Sequence, residues 1–205
     1  MTKAEYRSLI KNLLAKIDKE NKYHEMVIDH AVDHALAQIY WEVWKQNPPE
    51  LDNYTKEYGV STAITVTQNA TTTIYESTIP EVYIPMPDKA SGIRHIFTLE
   101  QGGIVFVPMS QTEIDYVPNT LVGELTDRIG YAVKNEKVEY WNMNAVVAAA
   151  GVRMEILIPF TAYEDDDVVK LPFGRNEEIL QLVLVYLKDL PEVDLNDLEE
   201  KVQTK

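Results

Sequence analysis

Cysteine is absent from this 205-residue chain, which excludes a disulfide framework and any thiolate metal site and fits a reducing compartment. Positive charge is scarce. Nineteen Lys and Arg stand against 33 Asp and Glu, a formal net charge of −14, which disfavours a direct grip on nucleic acid or an anionic membrane. Long hydrophobic runs are missing as well. The longest strongly apolar stretch near a helical pattern, residues 179–187, has about half of the roughly 20 residues a membrane span needs. The opening MTKAEYRSLI lacks the apolar core and small-residue cleavage site of a signal peptide, so a soluble product made inside a cell is expected. Catalytic motifs are also absent. There is no HExxH, no ExxH pair for a carboxylate-bridged di-metal site, no P-loop, no GxGxxG and no GxSxG. What remains is ordinary globular usage, 45% hydrophobic and 25% charged, in a chain long enough for one or two domains with a substantial core.

Helical periodicity marks both ends. Thr2 and Glu5 have capping-box spacing, and Tyr6, Leu9, Ile10, Leu13, Leu14 and Ile17 then recur at helical intervals, predicting a first helix to about residue 18. After a polar joint at 19–21, a second helix is predicted over 22–46. Asn47, Pro48 and Pro49 should end it, because proline lacks a backbone donor and bars the α conformation before it. These two should form an αα-hairpin. The second helix is apolar on two stripes: Ile28, Ala31, Val32, Ala35, Ile39 and Val43 share one, while Met26, Ala37, Tyr40, Trp41 and Trp44 fall roughly opposite. Such a helix should be sandwiched, either within its own fold or between its fold and a neighbouring chain. Met26, His30, Ala37, Tyr40, Trp41 and Trp44 are therefore candidate oligomer-interface residues.

From about residue 54 the period changes to two, in a segment rich in Thr, Val, Ile and Tyr. Three hairpins are predicted: 63–66 with 71–75, 93–99 with 104–107, and 131–133 with 138–141. A further strand is expected over 153–159. About eight short strands within roughly 110 residues indicate an antiparallel sandwich or barrel-like domain, with prolines at strand ends. Ser110 and Glu113 repeat the capping-box spacing, allowing a short helix over 111–116. The first hairpin's uncharged tip, Gln68, Asn69, Ala70 and Thr71, is a candidate arm for adding to a neighbour's sheet edge, against the plainer reading of a solvated loop. A closing helix over 176–189 carries Ile179, Leu180, Val183, Leu184 and Leu187, followed by an acidic amphipathic tail. The fold class expected is α+β: a helical hairpin at 1–48, an antiparallel β-domain at 49–165, and a C-terminal helix and acidic tail at 166–205. The C-terminal helix should pack with the N-terminal helices, so that 1–48 and 166–190 make one helical layer.

Chemistry-bearing clusters are few. His30 and His34 are i, i+4 neighbours with Asp33 beside them, a spacing that offers two imidazoles to a metal but no fixed third ligand; a hydrated interface is the plainer reading. The acidic run 164–167 lacks the alternating ligands and glycine of a calcium loop and reads as solvated. No catalytic residue, resident metal or cofactor is assigned, and an enzyme is not expected.

The stretches HEMVIDHAVDHALAQIYWEVW, YAVKNEKVEYWN and LPFGRNEEILQLVLVYLKDL, the last after a strand ending ILIPF, resemble virion ring proteins of tailed bacteriophages, in particular crAss-like podoviruses. The resemblance spans most of the chain. It implies a structural subunit of a homo-oligomeric ring at the head-to-tail connector, a portal adaptor sharing the portal's twelve-fold symmetry. Such a ring contacts the portal and other tail rings and encloses the DNA exit channel within the virion, after assembly in the host bacterial cytoplasm. It brings no catalytic residues, no cofactor and no membrane contact. A net negative wall suits a channel that should not hold DNA. The competing expectation is a receptor- or glycan-binding β-domain with a helical attachment region, and a metal-dependent enzyme stands third. Two different apolar helix faces favour the ring, because every subunit of a closed heterologous ring needs two unlike surfaces.

Overall fold

The computed structural model describes residues 1–17, 23–88, 91–99, 103–110, 113, 128–134, 136–172 and 174–189. Its α+β chain divides into two compact units, one formed by 1–39 with 163–205 and the other by 40–162. The division falls inside the second helix.

In the first unit, α1 (Lys3–Ile17) begins at the expected capping box: Thr2 N–H donates to Glu5 Oε2 at 2.8 Å and Glu5 N–H to Thr2 Oγ1 at 3.2 Å. Its Tyr6, Ile10 and Leu14 are buried. α2 (Glu25–Gln46) starts slightly later than its periodicity predicts and ends where it should. α4 (Asn176–Asp189) buries Ile179, Val183 and Leu187 completely. It meets the second helix and its lead-in, with the His34 and Tyr186 ring centroids 4.8 Å apart and Tyr23 OH donating to Leu187 O at 3.0 Å. The C-terminal helix thus packs with the N-terminal pair.

Charge as well as apolar area ties this unit together. Arg7 on α1 grips Asp29 on α2 in bidentate fashion, Nε to Oδ1 at 2.9 Å and Nη2 to Oδ2 at 2.7 Å. Lys3 lies 3.5 Å from Asp29 Oδ2 and donates to Tyr163 O at 2.7 Å. The acidic run contributes backbone: Asp165 O and Asp167 O accept from Ala4 N and Lys3 N, two donors of the first helical turn.

The second unit opens with the C-terminal end of α2, then a 3-10 turn at Pro48–Tyr54, which the two prolines start without losing a needed donor. Eight short strands follow among the described residues: β1 (Lys56–Tyr58), β2 (Thr67–Gln68), β3 (Tyr75–Thr78), β4 (Ile93–Thr98), β5 (Val107–Pro108), β6 (Gly130–Lys134), β7 (Lys137–Trp141) and β8 (Val152–Ile156). They form a three-stranded sheet ordered β1-β8-β4 and a five-stranded sheet ordered β2-β3-β7-β6-β5. Every pair is antiparallel except β5 with β6. A buried tyrosine joins the two sheets, Tyr131 OH on β6 donating to Ile93 O on β4 at 2.9 Å, while within the five-stranded sheet Tyr140 OH on β7 lies 2.7 Å from Ser77 Oγ on β3.

Two of the three predicted hairpins need correction. The first is displaced: 63–66 is not a strand, Ile64 instead bridges Val152, and the ladder is Thr67 opposite Glu76 and Gln68 opposite Tyr75. In the second, the returning arm leaves its partner. Val105 bridges Phe97 and Phe106 N–H reaches Ile96 O, but Val107 and Met109 then donate to Ile129 and Tyr131 in the other sheet. Pro108 falls between those two donors, at the position where no N–H is required. The third hairpin forms as predicted, with Glu136 in the left-handed region at φ 63°.

The small-residue stretch before β8 folds as α3 (Ala145–Ala150), capped by Asn144, whose side chain accepts from Val147 N at 2.9 Å. Gly151 ends it at φ 81°, and a Cβ there would meet Ile64 O at 2.7 Å, so both conformation and close backbone approach require glycine. The helix expected over 111–116 lies mostly outside the described residues, although its capping box is made: Ser110 N–H donates to Glu113 Oε2 at 2.7 Å and Glu113 N–H to Ser110 Oγ at 3.3 Å. No helix among the described residues is long and apolar enough to cross a membrane.

Candidate assembly face on the second helix

The two stripes of α2 differ sharply in exposure. Ile28, Ala31, Val32, Ala35, Ile39 and Val43 are buried, as expected for the first stripe, and Leu36, which the stripe did not include, is buried with them. On the second, Met26 is 60% and Trp41 40% exposed, the His30 side chain is exposed, and Ala37 and Trp44 are half-buried. Tyr40 requires a correction. It is only 1% exposed and stacks on Tyr54 with ring centroids 6.0 Å apart, so it belongs to the chain's own core and not to an exposed face. Two adjacent helical positions necessarily point about 100° apart, and Tyr40 falls on the inner side of Trp41.

At the end of α2 within the second unit, Trp41 and Trp44 lie with ring centroids 5.6 Å apart and planes tilted by 30°. Lys45 Nζ sits 5.2 Å from the Trp41 centroid, within cation–π range. Trp44 Nε1 donates to Asp88 Oδ2 at 3.3 Å, and Arg94 Nη1 donates to the same oxygen. The rest of the Arg94 fork is also engaged: Nε with Asp52 Oδ1 at 2.9 Å and Nη2 with Pro48 O at 3.3 Å. His95 Nε2 lies 3.0 Å from Asp52 Oδ2. Burial of Arg94 works against its charge, but the hydrogen bonds it donates to Asp52 and Asp88 outweigh it and hold its pKa above the ordinary value. Asp88 Oδ1 is buried without a hydrogen-bond partner among the described residues. A guanidinium only 10% exposed between two carboxylates thus underlies a surface aromatic pair.

Asp52, Asp88 and Arg94 do not emerge from sequence reasoning. The only signal was a charged residue beside Ile93 in a strand whose Ile93 and Ile96 are core.

The other candidates are placed as follows. His30 Nδ1 is 3.9 Å from Asp33 Oδ2, while the His34 ring packs on Tyr186. Among the described residues no three His, Cys, Asp or Glu side chains are grouped to hold a metal. At the hairpin tip, Asn69 Oδ1 accepts from Thr71 N at 2.9 Å and Thr72 N at 3.2 Å, and Gln68 Nε2 donates to Thr73 O at 2.9 Å. Gln68, Ala70 and Thr71 are exposed and Asn69 is half-buried.

No family model matches the chain, and no curated protein matches it.

Proposed function

We propose that the chain is a structural subunit of an oligomeric ring in the head-to-tail connector of a tailed bacteriophage, joining portal and tail around the DNA exit channel. The observation that carries this reading is the Trp41–Trp44 pair, Trp41 exposed and Trp44 half-buried, on a helix whose opposite stripe is already committed to the chain's own core. Tryptophan left at a surface in a fixed pair is the side chain that protein interfaces most often use as an anchor. Its neighbours in this reading are further copies of itself around the ring, with the portal and other tail rings above and below. The net charge of −14 lets an enclosing wall repel DNA instead of trapping its phosphates.

The test is assembly of the purified protein, followed by light scattering after size exclusion, alone and with candidate portal or tail proteins. Trp41→Ala and Trp44→Ala should each weaken assembly by about 2 kcal/mol, roughly 30-fold, with far-ultraviolet circular dichroism unchanged. Unfolding of the dilute subunit in both variants would mean that the pair is intramolecular core, and the reading would fail.

A further inference from the structure

We draw no further inference here: the strongest candidate, the aromatic surface patch of Trp41 and Trp44 at the C-terminal end of α2, tied through Asp88 to Arg94, is an unpartnered face, and nothing among the described residues shows what covers it.

Discussion

Asp29 is buried at the meeting of α1 and α2, and it is matched by two cations that are nearly as buried, Arg7 at 11% and Lys3 at 7% side-chain exposure. The hydrogen bond that Arg7 donates to Asp29 is the largest of the causes that raise the Arg7 pKa. Removing the carboxylate would strand both cations, which costs far more than the pair itself contributes. Arg7 keeps its contacts with Glu25 and Asp165, so the expected loss for Asp29→Ala is at the lower end of the usual range, about 3 kcal/mol by urea unfolding. A loss below about 1 kcal/mol would show that water reaches the site and screens it. Such a residue is hard to find in a sequence. Asp29 follows a core isoleucine and precedes an exposed histidine, and only the approach of α1 separates a buried carboxylate from a solvated one.

At the scale of elements, local chemistry decides ends and turns, while strand partners are chosen from further away. The 131–141 hairpin follows its pattern because a two-residue turn sets its register. The Thr-rich hairpin slides because Asn69 takes two backbone N–H groups into its own side chain, opening a six-residue loop where a short turn was expected. Replacing residues 69–74 by Asn-Gly should preserve the pairing of Gln68 with Tyr75 and leave the subunit folded. Assembly should be unchanged, since the tip's polar groups bond mainly to one another; loss of assembly in a folded subunit would make the tip an inter-subunit arm. Alkali and acid act differently here. Glu76 on β3 is held below the ordinary carboxylate range, first by its hydrogen bond from Lys137 and then by Asn69, so whatever it contributes is present at neutral pH and is lost only on acidification.

For the whole molecule the stronger pH response is expected in alkali. Burial raises the pKa of Tyr6 and Tyr163 in one unit and of Tyr131 and Tyr140 in the other, Tyr163 to about 12 and the rest further. A raised folded-state pKa means that the stabilisation is complete below the unfolded-chain value of 10.0 and is lost as pH rises through the folded value. Each tyrosine should therefore remove about 1.4 kcal/mol of stability per pH unit between its unfolded-chain and folded values, and no more beyond the folded one. The check is a urea series at rising pH, with tyrosinate absorbance appearing together with unfolding. Tyrosinate that forms gradually in a still-folded chain would show the rings to be accessible.

What the sequence determined by itself is local: the capping boxes of Thr2 with Glu5 and Ser110 with Glu113, the stop of α2 before two prolines, the inner stripe of that helix, the third hairpin, and the α+β class. Each depends on residues within a few positions of one another, so periodicity and turn chemistry suffice to read it. The strand exchange at 104–109, the withdrawal of Tyr40 into the core and the bond from Trp44 to Asp88 were decided by tertiary structure. Trp44 and Asp88 are 44 positions apart, and Asp52 and Arg94 are 42 apart. Such contacts follow from how whole strands and helices settle on a shared core, where burial of many side chains at once outweighs the preference of any one of them.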